Sequence, residues 1–247
     1  MSQREPGQQG AGYGRSDTAA PLDVTWCPSP NQGPRREGLS PSMVVLHYTA
    51  MHGAEAALDR LCDPVAEVSA HYLIGRDGRL WQMVPENQRA WHAGAGEWCG
   101  QGDINSRSIG IELDNTGGHP FCEPQMAVLD VLLSQILMRW SISPDAVIGH
   151  SDMAPGRKGD PGPRFDWARL ARLGLARAVP AASGTHFHQP DASLEDLFCR
   201  YAHDLGYTAP VDTATLLAAV RLRYRPWAAG PLVAEDLIPL AQSDLWL

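Results

Sequence analysis

The chain has 247 residues, 44% of them hydrophobic and 19% charged, with a formal net charge of −8. That length buries a substantial core and suggests one large or two modest domains. The acidic balance, with no basic stripe of interleaved aromatics, argues against a nucleic-acid partner, and no run approaches the roughly twenty apolar residues of a membrane span. Five cysteines form no CxxC pair and are odd in number, which reads as free thiols in a reducing compartment. The first 22 residues are polar and Gly-rich, without the apolar core of a signal peptide. They read as a flexible lead, and both features predict a cytoplasmic protein.

After the lead, Pro28, Pro30, Pro34 and Pro41 forbid regular helix and predict an extended arm. Met43–Tyr48 (MVVLHY) is a continuous apolar run with His47 near its end, the pattern of a strand buried on both faces. Ala54–Cys62 has helical spacing and is closed by Pro64. Ala70–Val84 reads as a hairpin turning at Arg76-Asp77-Gly78, since Asp-Gly between two apolar runs is a strong turn signal. A Gly- and Trp-rich loop follows, in which Trp91 and Trp98 are placed to line a sugar or peptide groove. Ser108–Leu113 (SIGIEL) predicts a second buried strand with Glu112 inside it. Glu123–Trp140 carries the clearest apolar helical stripe. Val147 and Ile148 then end at Gly149-His150 and a Gly/Pro-rich loop holding Lys158 and Asp160, and Asp166–Gly174 predicts a short closing helix.

This order predicts an α/β catalytic unit over residues 23–178, a mixed β-sheet flanked by helices. A linker spans 179–190, and residues 191–247 carry three helical periodicities (Ser193–Leu205, Thr213–Arg223 and Ala234–Gln242) expected to form a small three-helix domain.

His47, His150 and Asp160 lie at or beyond strand ends, and two imidazoles with one carboxylate suit a catalytic zinc site with an open position. Such an ion polarises a carbonyl and acidifies water. Amide hydrolysis also needs a base and an oxyanion donor. Glu112 is the natural base, because a carboxylate in an apolar strand is costly without a partner or a task. Lys158 is the natural oxyanion donor, being the only lysine against nineteen arginines. The histidines stand far apart in sequence, so their convergence is an expectation. His71, within the hairpin, is read as a hydrogen-bonded structural residue.

VVLHYTA, VSAHYLIGRDGRLWQMVPENQRAWHAG, NSRSIGIEL and GHSDMAPGRKGDPGPRFDW, in this order, closely resemble the zinc-dependent N-acetylmuramoyl-L-alanine amidases of the type 2 family. Phage lysozyme-amidases and peptidoglycan recognition proteins are related to that family. The GRKGDPGP form is most similar to the AmiD/AmpD branch. The resemblance implies one Zn2+ per chain on His47, His150 and Asp160, with Glu112 activating water and Lys158 assisting. Some relatives carry a tyrosine where Ala70 stands here, which leaves that task to Glu112. His92, in WHAG, falls on the family's histidine near substrate, and Arg107 is a candidate for a substrate carboxylate. YRPWAAGPL is similar to the end of a three-helix peptidoglycan-binding domain.

The expected function is hydrolysis of the amide between N-acetylmuramic acid, in its 1,6-anhydro form, and L-alanine of muropeptides during cell-wall recycling. Two other readings are a recognition module that binds peptidoglycan fragments without cutting them, and an endolysin acting on intact sacculi. Recognition modules of this kind lack a zinc ligand, whereas all three are present here.

Overall fold

The computed structural model describes residues 22–178 and 192–241. Most of the expected lead and all of the expected linker (179–190) lie outside the described residues.

Among the described residues, eight strands form two sheets. Strand β1 (Val24–Trp26) comes from the extended arm, followed by β2 (Gln32–Pro34) and β3 (Met43–Tyr48). Helix α1 (Ala54–Cys62) leads to β4 (Tyr72–Ile74) and β5 (Leu80–Gln82), then β6 (Gln88–Ala90), α2 (Ile104–Arg107) and β7 (Ser108–Leu113). Helix α3 (Glu123–Trp140), β8 (Val147–Gly149), α4 (His150–Met153) and α5 (Trp167–Arg172) complete the first region. The main sheet has the order β1-β5-β4-β7-β3-β8 and is parallel except between β4 and β5. The β4–β5 pair is the expected hairpin. Strands β2 and β6 form a separate antiparallel ribbon.

The sheet is covered on both faces, as a largely parallel sheet requires. The alternation of side chains decides which residue meets which layer. Val44 and Leu46 of β3, with Ile109, Ile111 and Leu113 of β7, pack against Met126, Leu129, Leu133 and Ile136 of α3. On the opposite face, Met43 and Val45 pack with Ile148 and Met153 against the C-terminal region. Ser108, Gly110 and Glu112 alternate with the buried aliphatic residues of β7, so they share the face of Val45 and His47.

The C-terminal region begins with α6 (Leu194–Leu205), whose Ser193 and Asp196 form a reciprocal capping box, and continues with α7 (Thr213–Tyr224), capped by Asp212. The third expected helix is instead two 3-10 turns, Ala234–Asp236 and Ile238–Leu240. Pro239 supplies no N–H for a continuous helix, and the Asp236 carboxylate is committed to Arg221 and the Val233 N–H. Gln242, the end of that expected helix, lies outside the described residues. Leu197, Phe198, Leu217 and Leu237 share one core with the sheet residues Met43, Val45 and Ile148. Among the described residues, no helix is long and apolar enough to cross a membrane.

Candidate active site

The carboxyl ends of β3, β7 and β8 lie side by side, the place where open α/β sheets put their ligands. His47 is the fifth residue of β3, and its register partner on β7 is Glu112. His150 opens α4 directly after β8, and the following loop folds back so that Ser151 N donates to Asp160 O at 2.9 Å. The loop thereby brings Asp160 Oδ2 to 2.9 Å from His47 Nδ1 and 3.1 Å from His150 Nδ1. The three donor atoms lie within 4.8 Å of one another.

His150 Nε2 is 2.9 Å from Ala93 O, and a carbonyl only accepts, so that nitrogen carries the hydrogen. In the neutral tautomer with that hydrogen, His150 Nδ1 offers a lone pair on the side of Asp160. Burial, with His150 alongside, pushes the His47 imidazole down to about 4, which keeps it neutral. Three ligand atoms this close are placed to share one cation. Two imidazoles and a carboxylate fit a borderline divalent metal, zinc above all, and leave a fourth position open.

Glu112 stands beside this cluster in the wall of a cavity of about 380 Å3, with Tyr48, Arg60, Trp91, Lys158 and Asp160 also lining it. Its Oε2 is buried without a hydrogen-bond partner among the described residues. Burial, reinforced by Asp160 and opposed by Lys158, pushes its carboxyl up to about 8. A glutamate in that state has high proton affinity, the property of a base that must take a proton from water. Lys158 is exposed and reaches the same cavity.

A second cavity of about 550 Å3 adjoins the first and shares Trp91, His92, His150, Arg157 and Lys158 with it. Trp91 thus lines both, where a groove residue was expected. His92 lines both as well, but its ring nitrogens face protein atoms, His47 Nε2 at 3.0 Å and Ser108 Oγ at 3.1 Å. Arg107 lines neither cavity; its Nε donates to Gly102 O. It precedes β7, about 16 Å of strand below Glu112.

Sequence reasoning missed Asn105 and Arg157. Asn105 Oδ1 accepts from the His92 and Ala93 N–H groups, and Arg157 Nη2 donates to Ala93 O and Ala95 O. Together they hold the loop that touches both histidines. Their positions beside SIGIEL and Lys158 were the available signal.

Such an arrangement belongs to hydrolases that activate water next to a polarised carbonyl. The sequence profile of the N-acetylmuramoyl-L-alanine amidase family matches residues 37–163, over half of the chain, and the chain belongs to that family. It is 37% identical to the N-acetylmuramoyl-L-alanine amidase AmiD of Escherichia coli over 210 residues, 74% of this chain and 75% of AmiD. The solved complex of AmiD with anhydro-N-acetylmuramic acid-L-Ala-D-gamma-Glu-L-Lys superposes with a TM-score of 0.66 at 33% identity, covering 77% of this chain and 83% of that one. AmpDH3 of Pseudomonas aeruginosa, solved with anhydromuramic pentapeptide, superposes with a TM-score of 0.71 at 29% identity, covering 93% and 95%. The mixed sheet flanked by helices is the fold of these amidases.

Proposed function

We propose that this chain is a zinc amidohydrolase that cleaves the amide between 1,6-anhydro-N-acetylmuramic acid and L-alanine in soluble muropeptides. The observation that carries the reading is the convergence of His47, His150 and Asp160 beside Glu112, whose Oε2 is buried and has no hydrogen-bond partner among the described residues. The anhydromuramyl peptides bound by AmiD and AmpDH3 support the choice of substrate.

Zinc held by His47, His150 and Asp160 supplies Lewis acidity to the amide carbonyl and lowers the pKa of water toward neutrality. Glu112 Oε2 takes the proton of the attacking water and returns it to the departing L-alanine nitrogen. The Lys158 ammonium donates to the carbonyl oxygen as negative charge develops there. Trp91, shared by the two cavities, packs against the sugar or the peptide, and the smaller cavity holds the scissile bond. Residues 192–241 serve as a packing element for the catalytic unit. The scattered cysteines support a cytoplasmic role in recycling.

Elemental analysis for zinc, with mass spectrometry of products from a soluble anhydromuropeptide and from intact sacculi, tests the reading. One zinc per chain and peptide release from the soluble fragment alone are expected. Cleavage of sacculi points to an endolysin. Fragment binding without zinc or cleavage points to a recognition module.

A further inference from the structure

We infer that His92 and Ser108 are positioning residues that fix the donor state of the metal ligand His47, and that His92 does not bind substrate through its ring nitrogens. The inference rests on the zinc reading above and deepens it.

The direction of each hydrogen bond follows from a single acceptor at the end of the chain. Ser108 Oγ is 2.6 Å from Ile104 O. A carbonyl oxygen only accepts, so the hydroxyl hydrogen of Ser108 is spent there. Toward His92 Nε2, 3.1 Å away, Ser108 Oγ then has only lone pairs to offer. His92 Nε2 must carry a hydrogen, and in the neutral ring Nδ1 is left as an acceptor. That acceptor faces His47 Nε2 at 3.0 Å, so the His47 hydrogen resides on Nε2. His47 Nδ1 is consequently a bare lone pair, aimed at the space it shares with Asp160 Oδ2 and His150 Nδ1. Four groups in series thus choose the tautomer that ligates.

Packing leaves His92 little alternative. A Cβ placed on Gly110 would lie 2.4 Å from His92 Cγ, so the ring is seated directly on the bare backbone of β7. Its own backbone N–H, with that of Ala93, is held by Asn105 Oδ1 at 3.0 and 2.8 Å. The next residue does the same service for the other histidine, through the Ala93 O to His150 Nε2 contact. Two consecutive loop residues therefore orient both imidazole ligands.

The test uses the full chain and two substitutions. Ser108→Ala removes the lone pairs that pin His92, and His92→Phe keeps an aromatic ring while removing the acceptor for His47. Zinc affinity is measured by competition with a chromophoric chelator, and the cobalt(II) form is examined by its visible ligand-field spectrum. Zinc binding weakened 10- to 100-fold in both variants, with an altered cobalt spectrum and the KM for anhydromuropeptide unchanged at saturating zinc, is the expected result. His92→Gln, whose amide oxygen restores an acceptor, recovers most of the affinity. Wild-type zinc affinity in both variants, with KM raised tenfold or more in His92→Phe, would make His92 a substrate contact and overturn the inference. A wild-type chain that binds no zinc would overturn the zinc reading itself.

Discussion

Arg223 Nη1 on α7 donates to Asp152 Oδ2 at 2.7 Å, and Asp152 lies in the same helical turn as His150. The same carboxylate accepts from the Gly149 N–H and, on its other oxygen, from Tyr207 Oη at 2.6 Å. Arg223 also donates to Val147 O and stacks 4.0 Å from the centre of the Trp167 ring. The side chains are 3% and 0% exposed, so this is a fully desolvated ion pair with every partner supplied by the protein. The C-terminal region thereby reaches the turn that presents His150, one of the proposed metal ligands.

Arg223→Met is accordingly expected to destabilise the chain by about 3–5 kcal/mol, because it strands a buried carboxylate. Urea unfolding of the full-length protein measures this. A loss below about 1 kcal/mol would mean that the C-terminal helices hold on through apolar contacts alone.

The two halves of the chemistry should separate by mutation. His150→Ala removes zinc and activity together. Glu112→Gln keeps one zinc per chain while kcat falls about 10²- to 10⁴-fold. Lys158→Ala keeps zinc and lowers kcat about 10²- to 10³-fold, in line with loss of one oxyanion donor. Metal content by elemental analysis beside single-substrate kinetics distinguishes the three.

Stability should decline with acidification through a buried structural histidine. His71 is fully buried, accepts from the Gly110 N–H on Nδ1, and therefore donates from Nε2 to Gln88 O. Burial, with Arg35 alongside, pushes its imidazole from 6.5 down to about 3. Below 6.5 the unfolded chain takes up a proton that the folded chain refuses, so stability is full above that pH and falls as pH drops toward 3. One such group contributes up to about 1.4 kcal/mol per pH unit. Unfolding of metal-free protein at pH 7.5, 6 and 5 tests this, and His71→Met should flatten the slope by one proton's worth.

Gly110→Ala should unseat His92, since the added methyl would overlap its ring. A stability loss of about 1–3 kcal/mol is expected from the overpacking, accompanied by weaker zinc binding. Calorimetry and chelator competition together check it, and unchanged zinc binding would show that the ring has room to move.

Much of this organisation was legible in the sequence because it is local. MVVLHY and SIGIEL announce themselves as strands through continuous or alternating apolar residues, and each carries an imidazole or carboxylate out of keeping with an apolar strand, His47 and Glu112. Asp77-Gly78 marks the β4–β5 turn for steric reasons, Gly78 having φ of 87°. Pairing is not local. Nothing in QGP or QRA foretells the β2–β6 ribbon, because neither has an apolar alternation. The third C-terminal helix failed where Pro239 and the buried Asp236 pairs outweighed periodicity. The seat of His92 on the bare backbone of Gly110 is not legible in the sequence, because that surface exists only once β7 is paired.

His47 and Glu112 occupy one rung of a parallel strand pair. Their separation is set by the interstrand repeat of about 4.8 Å, and so by main-chain hydrogen bonds that no side-chain replacement rewrites. The cavity walls have another origin, since Arg60 rises from α1 while Trp91 and Lys158 come from loops. Descendants of this chain are therefore free to retune which ligand fits by editing helix and loop residues. The distance between Glu112 and His47 passes down unaltered, as an inheritance of the backbone.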